Sequence, residues 1–287
     1  MTVKQIVMLA LQLSIMSTVF GFGLKATTAD LLYLVRRPAL LARSLLAVFV
    51  IMPVVAVALV ELFAFPQPVE IVLIALAISP VPPLLPKKEA KAGGKASYGL
   101  GLMAMLALVS IVVVPLAAAI LERYFGRPLT MPPGAIAAVV LKSALVPLAA
   151  GMVVRATFPA VARRLEDVVV LIVKLLMPAS IVALLVAALP AMWAFIGSST
   201  VLALAMFTVA GLAIGHLLGG PDPDHSVVLG LSTACRHPAI AFAFASANFP
   251  NHQFGALILL YLIVSAIIGI PYARWSHPAA RPLHVAA

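Results

Sequence analysis

Six residues between positions 232 and 238 are of types that do chemistry: Ser232, Thr233, Cys235, Arg236, His237 and Pro238. They bring two hydroxyls, a thiol, a fixed cation, an imidazole that titrates near neutral pH and a helix breaker. They lie in the middle of Val227 to Pro250, VVLGLSTACRHPAIAFAFASANFP, a stretch otherwise apolar enough to enter a bilayer. An arginine at mid-membrane costs roughly 2.5–3.5 kcal/mol on insertion scales, so Arg236 must face a partner, water or a ligand. A second interrupted stretch, Ile71 to Lys91, places Pro80, Pro82, Pro83 and Pro86 within seven residues and follows them with Lys87, Lys88, Glu89 and Lys91. Two broken apolar segments in corresponding positions are the sequence sign of inverted repeats, with a binding site where the breaks meet near the bilayer midplane.

Each candidate has a functional and a plain structural reading. Arg236 and His237 form an anion or coupling site at the crossing of the two breaks, or Arg236 neutralises carbonyls at a helix end. Lys87, Lys88, Glu89 and Lys91 are a solvated inner loop, or they lie on an inner half-helix where Glu89 pairs with Arg236 or relays a proton. His237 is the strongest candidate for proton coupling, because its ordinary titration range spans physiological pH. Lys142 and Lys174 fall within apolar spans and are expected to snorkel. His216 and His225 flank an inner turn and read as interface residues.

The elements that position these residues follow from composition. The chain has 287 residues, 64% hydrophobic and 10% charged, with a mean hydropathy of +1.17. A soluble domain carries about a quarter charged residues, so this is an integral membrane protein with an all-α fold. One cysteine allows neither an intramolecular disulfide nor a zinc cluster, and no metal site or cofactor is expected. The net charge of +10 would suggest nucleic acid in a soluble protein; here basic loops that orient helices account for it, and no nucleic-acid partner is expected. There is no H-E-x-x-H pair, G-x-S-x-G elbow, intramembrane aspartate pair or phosphate-binding glycine loop, which argues against an enzyme and against ATP-driven transport.

Apolar runs of about 20 residues predict nine transmembrane helices. Their approximate limits are 3–24, 38–63 with a kink at Pro53, 68–92 broken at 79–83, 95–123, 132–155, 165–189, 198–218, the broken stretch around 232–238, and 252–274. With odd helices running inward, the inner side collects Lys25, Arg36, Arg37, Lys87, Lys88, Lys91, Lys95, Arg155, Arg163, Arg164, Arg274 and Arg281. Only Lys4, Arg123 and Arg127 remain outside. The positive-inside rule therefore predicts a multi-pass protein of the cell (inner) membrane, N-terminus outside and C-terminus inside. Pro82 to Pro115 and Pro238 to Pro271 each span 33 residues, a faint symmetry that pairs helices 1–4 with helices 6–9.

The run STVFGFGLKATTADLLYLVRRPALLARSLLAVFVIMP, Ser17 to Pro53, resembles the bile acid:sodium symporter family, with a G-x-x-L turn, an Asp, a basic-Pro pair and I-M-P in that order. KSALVPLAAGMVVR, Lys142 to Arg155, and AIAFAFASANFP, Ala239 to Pro250, extend the likeness over most of the chain. The resemblance implies a panel of helices 1, 5 and 6 (3–24 and 132–189) and a core of helices 2–4 and 7–9 (38–123 and 198–274). It also implies sodium-coupled uptake of organic anions. The chain departs from the family where sodium would bind: Pro80-Val81-Pro82 and Leu85-Pro86 replace P-G-G and Ser-Asn on the first crossing helix. Ser232, Arg236 and His237 replace Glu, Gln and Asn on the second, Val48 replaces a Gln, and Gly99 and Met103 replace hydroxyls. Sodium needs hard oxygen ligands, and that cage is gone.

The expectation is therefore a secondary transporter of a small organic anion, embedded in the lipid bilayer and independent of sodium, with protons as a possible coupling ion. The alternatives are an ordinary sodium-coupled symporter or a passive uniporter or channel. A structure in which one helix runs unbroken through Arg236 would overturn the crossing on which all of these readings rest.

Overall fold

The computed structural model describes residues 3–126, 129–197 and 199–276. Arg127 and Arg281, placed outside and inside by the charge count, lie beyond the described residues, as does the side chain of Lys4. The described residues form helices and connections only. In order they are α1 (Val3–Lys25), α2 (Thr28–Leu31), α3 (Pro38–Leu46), α4 (Met52–Leu62), α5 (Gln67–Ile78), α6 (Leu85–Lys91), α7 (Ala96–Phe125), α8 (Pro133–Val140), α9 (Val146–Thr157), α10 (Pro159–Trp193), α11 (Thr200–Gly219), α12 (Pro223–Ala234), α13 (Pro238–Asn248) and α14 (Gly255–Ser276).

Among the described residues eight helical stretches are long and apolar enough to cross a membrane: α1, α3 with α4, α7, α8 with α9, α10, α11, α12 with α13, and α14. Large side chains left exposed on them, such as Val112, Leu116, Ile120, Val186 and Leu217, are apolar, as contact with lipid requires. The stretch from α5 to α6 does not qualify. With 12 residues at about 1.5 Å each, α5 reaches only part-way through a hydrocarbon core of about 30 Å, and α6 with 7 residues covers less. The 12 and 11 residues of α12 and α13 are equally short. The breaks fall at 79–84 and 235–237, as the prolines predicted.

Two long helices carry a π-turn, each ending two residues before a proline. Ala47–Ile51 joins α3 to α4 ahead of Pro53, and Leu141–Leu145 joins α8 to α9 ahead of Pro147. A proline inside a helix has no N–H to donate and its ring strikes the carbonyl four residues back; widening the preceding turn by one residue relieves both. One other boundary differs from expectation. The sixth span starts at Pro159 instead of near residue 165, because Arg163, Arg164, Glu166 and Asp167 continue the helix beyond its apolar part.

Packing gathers the basic ends of the helices on one side of the bundle. Lys25 Nζ pairs with Glu166 Oε2 at 3.2 Å, and Arg155 Nη1 donates to the carbonyls of Lys25 and Ala26, capping the C-terminal end of α1. The one-turn α2 is closed by a capping box between Thr27 and Asp30, and Ser97 Oγ donates to Asp30 Oδ1 at 2.6 Å to dock it on α7. Burial raises the Asp30 carboxyl, but the hydrogen bonds from Ser97 and Thr27 outweigh it and leave Asp30 below its ordinary value. On the same side Tyr33 Oη and His225 Nε2 lie 2.7 Å apart, and His216 Nδ1 lies 2.9 Å from Tyr272 Oη, so both predicted interface histidines are held in hydrogen bonds.

Helix α1 packs on α9 and α10, and α11 packs along α12. Both contacts use glycine. Gly23 and Gly151 let the α1 and α9 backbones meet, and Gly211, Gly215 and Gly219 form a small-residue stripe on α11 that lies directly on the backbone of α12. A Cβ at Gly215 would strike the Leu229 carbonyl oxygen, whereas a Cβ at Gly134 meets nothing within 4 Å. Gly215→Ala is therefore expected to destabilise the detergent-solubilised protein by about 1–3 kcal/mol, and Gly134→Ala to leave it unchanged or slightly more stable; thermal unfolding of the two variants checks the pair.

Candidate functional site

The two broken helices meet at their breaks. The backbone N–H of His237 donates to the carbonyl of Pro80 at 2.8 Å, joining the loop after α12 to the loop after α5. Helix α5 packs on α13, and α6 packs on α12, so the four half-helices form two facing pairs. Pro238 opens α13 at a position where its missing N–H costs nothing. Pro80, Pro82 and Pro83 occupy the connection before α6, where no helical ladder runs. The chain through this crossing is deeply buried: all nine residues from Ser226 to Ala234 have little or no exposure.

Arg236 ties this joint together. Its side chain is 0% exposed, the largest so completely enclosed among the described residues. Nη1 donates to the carbonyl of Ser79 at 3.2 Å and Nη2 to the carbonyl of Val48 at 3.0 Å. Ser79 closes the C-terminal end of α5, where the helix dipole and unpaired carbonyls favour a cation. Val48 sits in the π-turn before Pro53, and such a turn leaves a carbonyl free of the regular ladder. Among the described residues no carboxylate lies within ion-pair distance of Arg236, so the Glu89–Arg236 pair considered from sequence is not formed. The Arg236 backbone is held as well: its N–H donates to Tyr261 Oη at 2.7 Å, and Tyr261 Oη donates to the Ala234 carbonyl at 2.7 Å.

Glu89 meets the other crossing helix at a different point. It is 1% exposed, and Oε1 accepts a hydrogen bond from Ser232 Oγ at 2.6 Å. Oε2 lies against Gly99, where a Cβ would collide with it. Lys88, half-buried, reaches the break between α12 and α13, with Nζ 3.9 Å from Cys235 Sγ and close to Gly269. Lys87 is exposed and turns away, as do Lys91 and Lys95. Of the residues singled out in the sequence, the structure thus brings Ser232, Thr233, Arg236, His237, Lys88 and Glu89 into one buried joint and leaves Lys87 outside it. Lys142 and Lys174 are exposed and do not enter it.

Among the described residues the buried polar side-chain atoms without a hydrogen-bond partner all fall in this joint: Glu89 Oε2, Thr233 Oγ1, Arg236 Nε and both ring nitrogens of His237. A native core meets nearly all of its buried polar demand, so a concentration of unmet atoms marks a place where something other than packing decides the residues. Tyr261 was not singled out in the sequence, although a lone phenol in the apolar run ALILLYLIV was a signal, because a buried tyrosine hydroxyl needs a partner.

Residues 10–195 match the model of the Sodium Bile acid symporter family, a share well over half of the 287-residue chain. The chain belongs to the sodium bile acid symporter family. Members of that family are transporters, and this chain is a multi-pass helical membrane protein of the same kind. The matched region includes α5 and α6 and stops before α12 and α13, the pair that carries Arg236. No curated protein matches the chain.

Removing the guanidinium strands two buried carbonyls and opens a cavity at the joint. Arg236→Ala is expected to lower stability in the absence of any ligand by about 2–5 kcal/mol. Arg236→Lys is expected to recover only part of this, since one ammonium cannot fork between Ser79 and Val48. Melting temperatures of the ligand-free proteins in detergent test it, and an Arg236→Ala variant that melts like the wild type would show that the joint does not depend on Arg236.

Proposed function

We propose that the protein is a secondary carrier that moves a small organic anion across the cell membrane by alternating access, without sodium. The observation that carries this reading is the guanidinium of Arg236 fixed between the C-terminal end of α5 and the π-turn at Val48. A bound cation at such a crossing draws helix-end carbonyls together; here a side chain does so permanently. Four carbonyls at the crossing already accept a hydrogen bond from the protein. Ser79 and Val48 accept from Arg236, Pro80 accepts from the His237 N–H and Ala234 accepts from Tyr261. This favours sodium independence over the ordinary symport reading.

In this reading nine helices cross the membrane, counting α5 with α6 as one, in two inverted repeats. The panel of α1, α8 to α10 moves against a core of the remaining helices. The basic ends face the cytoplasm, which leaves the N-terminus outside. Lys88, half-buried at the break with Nζ near Cys235 Sγ, is the cation placed to meet an incoming carboxylate. A positive site opposite half-helix N-termini suits an anion.

The test does not depend on which anion is carried. Sodium that binds the folded state at a hundred times its Kd would raise stability by about 2.7 kcal/mol. The purified protein is expected to melt at the same temperature in sodium chloride and in choline chloride of equal ionic strength. Taurocholate, a bile acid conjugate and so a first probe suited to the family, should enter proteoliposomes equally in either salt if it is carried at all. A saturable sodium-dependent rise in melting temperature or uptake would return the protein to ordinary sodium symport.

A further inference from the structure

Glu89 has a setting that neither the fixed guanidinium nor anion binding explains. It is the one buried carboxyl group among the described residues, and it stands on α6 against α12, away from Arg236. A carboxylate spreads its charge over both oxygens, yet only Oε1 has a donor, Ser232 Oγ. Oε2 is without a partner and is pressed against the backbone of Gly99, with Pro86 also beside that glycine. A metal cation would need several oxygens converging on one point, and among the described residues no cluster of three or more His, Cys, Asp or Glu side chains forms. A proton needs no such cage, because it attaches to one oxygen and leaves a neutral group of almost the same shape. The charged or titratable groups facing Glu89 are Lys88 on its own helix, Tyr98 on α7 and Cys235 at the break after α12. Tyr98 is occupied with Ser44, their hydroxyls 2.8 Å apart, and the Lys88 ammonium is directed to Cys235.

We propose that Glu89 is a proton-binding site: with the crossing closed as seen here its carboxyl group carries a proton taken from water, and loss of that proton parts α6 from α12. This rests on the sodium-free reading, because it gives the crossing a removable ion where Arg236 is a permanent one. The step balances simply. One O–H bond of a carboxylic acid forms when the site closes, and the same proton returns to water when the helices separate and both oxygens become hydrated. Ser232 can bond Glu89 Oε1 in either protonation state, because its hydroxyl can donate or accept, so this bond does not itself sense the proton. The unpartnered Oε2, by contrast, is compatible with packing only while the group is neutral.

Two substrate-free measurements on the full chain test it, so they stand or fall apart from the sodium experiment. The infrared spectrum of the wild type in lipid should contain the carbonyl stretch of a protonated carboxylic acid, missing from E89Q and fading as pH rises from about 5 to about 9. Cys235 is the only cysteine of the chain and lies at the break beside Lys88, so its alkylation by N-ethylmaleimide reports whether the crossing is open. Relative to E89Q, which is neutral at every pH and cancels the ionisation of the thiol itself, the wild type should label at least about threefold faster at the alkaline end and equally at the acid end. S232A, which removes the bridge without touching the carboxyl group, should label faster than wild type already at acid pH. Absence of the acid carbonyl band at every pH, or labelling curves of wild type and E89Q that superimpose, would overturn the proposal; should E89Q fail to fold, a wild-type band that is already gone above about pH 6, where ordinary carboxyl groups are ionised, overturns it as well.

Discussion

A guanidinium enclosed by protein with no carboxylate beside it is the constraint around which the crossing is built. Burying a cation costs several kcal/mol unless dipoles replace its water. Two carbonyls from separate helices supply that replacement at Arg236, one from the end of α5 and one from the widened turn at Val48. Neither helix can shift without uncovering the charge. The breaks, the π-turn and the phenol of Tyr261 are therefore parts of one arrangement: each ends a backbone ladder at a point where another group takes up the exposed carbonyl or N–H.

Around that joint the rest of the molecule is built on close backbone approach. The glycine stripe of α11 lies on α12, and Gly23 and Gly151 bring α1 against α9. Lipid gives no hydrophobic advantage to helix association, so contact area and short-range attraction must hold these pairs. The longest helix, α10, has few buried residues: Ala162, Val173, Ser180 and Met192. The firm packing thus surrounds the crossing, and the surface turned outward is largely apolar side chain.

What could be read in the sequence follows from what leaves a mark there. Proline marks a break, so both interruptions and the half-helices beside them were legible within a residue or two. Partners that are backbone carbonyls leave no mark, and so Arg236 could be recognised as needing a partner without Ser79 or Val48 being nameable as the acceptors. Which partner Glu89 takes is illegible for a related reason. In a helix of seven residues that follows three prolines and contains a fourth the phase cannot be read, and one position decides whether Lys87 or Lys88 turns inward. Lys88 does, and Glu89 then faces Ser232 instead of Arg236. Helix α10 was predicted too short because charged residues look like loop when only apolar length is counted, although helices regularly extend past the hydrocarbon.

The covalent attachment of Arg236 has a consequence for the electrical work of a carrier. An ion bound from solution travels with its cargo and is released, so its gradient performs work in every turnover. A guanidinium fixed to the chain makes the same contacts but returns with the protein to where it started, and over a full cycle it transfers no charge from one bath to the other. It can steady the joint indefinitely and contribute nothing to the thermodynamic drive. Accumulation against a gradient by a protein built this way must be powered by whatever leaves the binding site, the solute itself or a mobile ion that accompanies it, because the arginine cannot supply it.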